Sequence, residues 1–162
     1  MAEMDETATR VATLLALAPA GVVMGFHVRY TRPAIMVQSY PPEWTDAYAS
    51  RGLIMADPSV QWTAENTGSI RWSALADADV EGVLAEAATF GLVYGLSHAT
   101  DSGGSRSMVG LSRSDREFTD AEIAQIEAEV AAIHDATLES RAFSDAARAG
   151  IEALPVTLIQ AN

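Results

Sequence analysis

The glycine-rich stretch Asp101-Ser102-Gly103-Gly104 constrains the fold of this chain more than any other, because of what flanks it. Leu92 to Ser97 and Ser107 to Ser112 are both rich in strand formers, and a tight turn between two such runs folds them into antiparallel neighbours. Gly21 to Tyr30 and Ala34 to Tyr40 repeat the pattern around the break Thr31-Arg32-Pro33. A sheet assembled from hairpins is mostly antiparallel, and its apolar surface needs helices to cover it.

The helical signals lie on either side of those runs. Glu3 to Leu17 places Val11, Leu14, Leu15 and Ala18 on one face before Pro19 and Gly21 end it. Pro41-Pro42 opens a short helix in which Trp44 and Tyr48 share a side. Asp57-Pro58 reads as an N-cap and first-turn proline, starting a helix through Trp62. A loop with Asn66 and Gly68 leads to Ile70-Arg71-Trp72, and Asp79 to Phe90 is amphipathic through Val80, Val83, Leu84, Ala87 and Ala88. Thr119-Asp120-Ala121-Glu122 has the form of a capping box opening a long helix, with Ile123, Ile126, Val130, Ile133 and Thr137 in one seam. The order predicts an α+β fold, one domain over residues 1–141, with Ala142 to Asn162 as a tail or linker.

Totals narrow the function. Ten basic residues against 22 acidic ones give a net charge of −12, there is no lysine, and the arginines are scattered singly. Such a surface repels phosphate backbones, so this chain by itself is not expected to bind nucleic acid. No cysteine is present, which excludes a disulfide scaffold, a thiol nucleophile and a zinc-thiolate site. His27, His98 and His134 are far apart with no metal-ligand spacing, and no nucleophile-elbow motif occurs. Neither an enzyme nor a metal protein is expected. No apolar run is long enough to span a bilayer and the start, MAEMDETATR, is acidic where an export signal would be basic, so a cytoplasmic location is expected.

What remains is a cluster of aromatics with one acid: Tyr40, Trp44, Tyr48, Asp57, Trp62 and Trp72. Singly, each aromatic can be core packing and Asp57 only a helix cap. Together, Tyr40-Pro41-Pro42-Glu43-Trp44, Tyr48, Asp57-Pro58-Ser59-Val60 and Trp72 resemble the autoinducer-binding domain of LuxR-type quorum-sensing receptors. Glu86-Ala87, Gly91-Leu92-Val93-Tyr94-Gly95-Leu96-Ser97 and Gly110-Leu111-Ser112 look like a second signature of that family.

The resemblance implies a three-layer α/β/α sandwich whose central, mostly antiparallel five-stranded sheet encloses an N-acyl-homoserine lactone, with no other cofactor. By position, Trp72 would donate its indole N–H to the lactone carbonyl and Asp57 would accept from the ligand amide. Tyr40 would donate to the acyl carbonyl, with Ser112 reaching the same head group. Trp44 and Tyr48 would line the pocket, with Val60, Ala34 and Met36 beside the acyl chain. The chemistry suits such a ligand, since each buried polar atom costs about 1–3 kcal/mol unless paired. Its alkyl chain contributes roughly 0.8 kcal/mol per buried methylene.

Family members continue into a helix-turn-helix domain, and Ala142 to Asn162, with Arg148 as its one basic residue, is neither basic enough nor long enough to supply one. The expectation is therefore a sensor without its DNA-binding half, either an isolated domain or a truncated regulator. The latter would act by heterodimerising with full-length relatives or sequestering signal. The resemblance also implies a dimer surface on the Ile123 to Thr137 seam, against the plainer reading of a helix packed on its own sheet. The alternative function is a LuxR-like solo sensor of a different small amphipathic molecule; a lactone hydrolase would need a metal cluster or activated nucleophile that the sequence does not display.

Overall fold

The computed structural model describes residues 4–30 and 32–160. Glu3, Thr31, Ala161 and Asn162, which the sequence reading includes in its first helix, its first hairpin break and its tail, lie outside the described residues. In order the elements are α1 (Glu6–Leu17), β1 (Gly21–Arg29), β2 (Arg32–Gln38), α2 (Pro42–Ser50), a 3-10 turn (Leu53–Ala56) and α3 (Pro58–Glu65). There follow β3 (Gly68–Arg71), a 3-10 segment (Trp72–Ala78), α4 (Val83–Thr89), β4 (Tyr94–Ser102), β5 (Ser105–Arg113), α5 (Asp120–Ala136), α6 (Asp145–Glu152) and β6 (Thr157–Gln160).

The strands form one antiparallel sheet in the order β3-β4-β5-β1-β2-β6. The β4–β5 connection is tighter than the four-residue turn expected. Gly103 and Gly104 both take positive φ, 61° and 75°, the two-residue geometry that matches strand twist and that glycine adopts without steric cost. One expected helix is shorter: Val80 is 85% exposed and Gly82 is left-handed, so α4 begins only at Val83.

Helices cover both faces, which makes the expected α/β/α sandwich. On one face α1, α5 and α6 bury Val11, Leu14, Ile126, Val130, Ile133 and Ile151 against Val22, Met24, Phe26, Ile35, Val37, Leu96 and Leu111. Thr119 and Glu122 form the capping box reciprocally, at 3.1 and 2.9 Å, which fixes where α5 starts. Of the two readings of the α5 seam, the helix packed on its own sheet holds for Ile126, Val130 and Ile133, which are fully buried within the same chain.

The sheet has six strands rather than five, because the segment read as a tail is part of this layer. Phe143, Ala147 and Ile151, spaced by four, are buried in the core, Phe143 meets Phe26 edge-on at 6.5 Å, and β6 pairs with β2. Ser144 caps α6 through the Ala147 amide, and the Gln160 side chain accepts from the Phe143 backbone at 2.9 Å.

Beneath α5, β1 carries an extra residue relative to β5 between Gly25 and Val28. His27 occupies this bulge with φ of 57° and is buried with His134, the ring centroids 4.7 Å apart. The partners assign every hydrogen. The Ser102 carbonyl can only accept, so His134 Nε2 donates to it at 3.0 Å, and Nδ1 accepts from Ser107 Oγ at 2.7 Å. Ser107 Oγ in turn accepts the His27 backbone N–H. Thr137 Oγ1 donates to the Ile133 carbonyl, so it accepts from His27 Nε2, leaving His27 Nδ1 to accept from Ser105 Oγ. Burial, with His134 and Arg141 adding to it, pushes the His27 imidazole down to about 4.

Candidate functional site

Side chains alternate across a strand, so the other face of the sheet presents Gly21, Val23 and Gly25 from β1, Met36 and Gln38 from β2, Gly95 and Ser97 from β4, and Met108, Gly110 and Ser112 from β5. The concentration of glycine here has a steric use. A Cβ on Gly95 would lie 1.8 Å from the Trp72 ring, and one on Gly21 would lie 2.7 Å from the Tyr40 ring. A Cβ on Gly110 would lie 3.1 Å from the Tyr40 hydroxyl. The two aromatics therefore rest directly on backbone, and the helices α2, α3 and α4 with the 3-10 segment stand over them.

Between these helices and the sheet lies a cavity of about 380 Å³, at the smaller end of the roughly 300–1,000 Å³ typical of small-molecule sites. Its walls are mostly apolar: Val23, Val28, Pro33, Met36, Ile54, Val60, Val83, Leu84 and Met108 among others. Trp44 packs edge-on against Tyr48 at 5.7 Å and tilted against Phe90 at 5.3 Å, closing one side.

The polar groups are few and mostly committed to each other. Asp57 caps α3, its Oδ1 accepting from the Ser59 amide at 2.9 Å and the Ser59 hydroxyl at 2.6 Å, while Oδ2 accepts from the Tyr48 hydroxyl at 2.7 Å. Asp57 is thus the helix cap through one oxygen, while the other, bonded to Tyr48, stands at the cavity wall. Trp72 donates its indole N–H to Ser97 Oγ at 2.9 Å. The Tyr40 hydroxyl is buried with no partner among the described residues, and so is that of Ser112. Burial, with the Asp57 carboxylate adding to it, pushes the phenols of Tyr40 and Tyr48 up, so both keep their protons as donors.

Of the residues singled out from sequence, Met36, Tyr40, Trp44, Tyr48, Asp57, Val60 and Trp72 line the cavity together. Ala34 and Ser112 share its face of the sheet by alternation but lie outside the lining, Ser112 between Gly21 and Gly95 beneath the aromatic rings. Sequence reasoning did not nominate Ser97, Gln38, Met108 or the glycines. The signal for them was present: in Gly95-x-Ser97 and Met108-x-Gly110-x-Ser112 the small or polar residues recur at period two, the mark of one strand face.

Among the described residues, no group of three His, Cys, Asp or Glu side chains could hold a metal, and no helix is long and apolar enough to cross a membrane. A mostly apolar cavity with a handful of directed polar groups is the form of a small-molecule site.

The family described as autoinducer binding domain matches residues 20–140, and this chain belongs to it. These are the non-enzymatic sensor domains of LuxR-type quorum-sensing transcription regulators. The fold is similar to that of CepR2, an N-acylhomoserine lactone dependent LuxR family transcription factor from Burkholderia cenocepacia, with TM-score 0.60 and 24% identity over 80% of this chain and 79% of that one. It is also similar to SdiA in complex with octanoyl-rac-glycerol, with TM-score 0.63 and 16% identity over 88% of this chain and 67% of that one. A solution structure of residues 1–171 of Escherichia coli SdiA gives TM-score 0.58 and 17% identity over 88% of this chain and all of that one. No curated protein sequence matches. At these identities the structural likenesses speak to the fold alone.

Proposed function

We propose that the cavity binds an N-acyl-homoserine lactone and that the chain is the signal-sensing part of a cytoplasmic LuxR-type regulator. The observation that carries this is the Tyr40 hydroxyl, held buried and unpartnered over Gly110 at a cavity whose other directed groups are a carboxylate and an indole N–H. A buried hydroxyl without a partner costs about 1–3 kcal/mol, and a ligand carbonyl removes that cost. A lactone carbonyl at Trp72, an amide N–H at Asp57 Oδ2 and an acyl carbonyl at Tyr40 match the groups one for one. Ser97 and Tyr48, which occupy Trp72 and Asp57 in the free protein, are the stand-ins the ligand would displace or share. Met36, Val60, Met108 and Val28 would cover the acyl chain. The free protein would then be less stable than the bound one, by about 2.7 kcal/mol at ligand a hundredfold above Kd. Action through homodimers, or through heterodimers with full-length regulators, is part of the proposal.

A thermal-shift series tests it, using acyl-homoserine lactones of increasing chain length on the wild type and on Trp72→Phe, which keeps a ring on Gly95 but removes the N–H. The Tm should rise with chain length until the 380 Å³ cavity is filled, and the rise should shrink in the variant. No shift with any lactone would sink the reading. The bound octanoyl-rac-glycerol of SdiA favours a second one, an acylglycerol as ligand, and that compound belongs in the same series.

A further inference from the structure

Apart from the Tyr40 hydroxyl and the Trp44 indole N–H, one polar side chain on the cavity wall is uncommitted among the described residues. Tyr48, Asp57, Ser59, Trp72 and Ser97 are hydrogen-bonded to one another, Thr45 donates to the Pro42 carbonyl, and Thr63 to those of Ser59 and Val60. Gln38 lines the cavity, yet its side-chain amide makes no hydrogen bond to any described residue.

The register says where that amide stands. Ser97 pairs with Gly110, Gly110 with Val23, and Val23 with Gln38, so the four form one row across the cavity face. The row begins at Ser97 with the Trp72 indole, passes beneath the Tyr40 hydroxyl at Gly110, crosses apolar Val23 and ends at Gln38. With strands about 4.8 Å apart, the Gln38 backbone is about 10 Å from that of Gly110, and its side chain spans part of the gap. The next row, Met108, Gly25 and Met36, is wholly apolar. A chain that left a carbonyl held at Tyr40 toward β2 would pass Gln38 within its first few carbons and then run over the hydrocarbon of the Met108–Met36 row.

We propose that Gln38 determines ligand specificity, selecting acyl chains that carry an oxo or hydroxyl oxygen at C3 over unsubstituted ones. This rests on the lactone reading of the cavity. A plain methylene laid against the amide would strip it of water and return nothing, whereas a C3 oxygen accepts from its NH2 group. A site that offers a hydrogen bond discriminates strongly against the analogue that cannot make it. Gln38 also borders the outer cleft formed with Leu154, Pro155, Val156 and Thr157, so the same side chain stands at the wall between cavity and surface.

The test is calorimetric titration of the 162-residue chain with N-octanoyl-, N-(3-oxooctanoyl)- and N-(3-hydroxyoctanoyl)-homoserine lactone, on wild type, Gln38→Leu and Gln38→Met. The expected result is a preference of about tenfold or more for the oxygenated ligands in the wild type. In both variants the ratio should fall to near one, chiefly because the unsubstituted lactone binds more tightly. If the wild type binds all three alike, or if its preference survives in the variants, Gln38 is not the selector and the lactone reading stands. If no lactone binds the wild type, both readings fall. Should Gln38→Leu fail to fold, the ratio in Gln38→Met decides.

Discussion

The two faces of the sheet use the same strands to opposite ends. On the α1–α5–α6 face the residues alternating inward are Val22, Met24, Phe26, Leu96 and Leu111, packed with no unpaired buried polar side chain among the described residues, and even the His27–His134 pair has each hydrogen assigned to one acceptor. On the other face the alternate positions of the same strands are Gly21, Gly25, Gly95, Gly110, Ser97 and Ser112, and two buried hydroxyls there go unanswered. One face is finished by the chain itself. The other is built to be finished by something else, so its remaining polar and apolar demands describe a ligand.

That contrast can be broken by substitution. The largest effect is expected from Ile133→Ala on the packed face, which should cost about 2–5 kcal/mol in denaturant unfolding because a fully buried side chain leaves a cavity in a dense core. Met108→Ala on the chamber face only enlarges a space already present and should cost markedly less; equal costs would mean the chamber is as tightly packed as the core. A matched pair of hydroxyl deletions comes next. Ser107→Ala strands both His134 Nδ1 and the His27 amide and should cost about 1–3 kcal/mol, whereas Tyr40→Phe removes a hydroxyl that had no partner and should leave the free protein within about 1 kcal/mol of wild type. A reversed ranking would show that Tyr40 is the structural group and Ser107 the dispensable one.

The smallest effect near neutrality is on pH, and it grows as pH falls. His27 in the folded protein titrates near 4, below its ordinary value of 6.5, so the unfolded chain binds the proton first. Stability should be full above about pH 6.5 and decline as pH drops toward about 4, with His98, also pushed down chiefly by burial, acting in the same direction. His27→Asn, a residue that tolerates the positive φ of the bulge, should flatten the difference between urea midpoints at pH 7.5 and pH 5. An unchanged slope would place the acid sensitivity elsewhere.

Much of this was legible in the residues. The Gly103-Gly104 hairpin, the Thr119 capping box and the Asp57-Pro58 helix start are local, decided by backbone sterics and by hydrogen bonds a few residues long, and they stand where the sequence put them. The aromatic–acid cluster was legible as well, because its members are close in sequence and their spacing identified the family. The sequence by itself thus determined most of the element types, the first hairpins, the caps and the aromatic part of the cavity wall. Only the tertiary structure decided that Phe143, Ala147 and Ile151 close the core, that β6 extends the sheet, that the α5 seam is spent inward, and that Ser97 and Gln38 stand in one row with Tyr40 between them. Those outcomes depend on register and burial between segments far apart in the chain, and a period-two or period-four pattern shows a face without showing what the face meets.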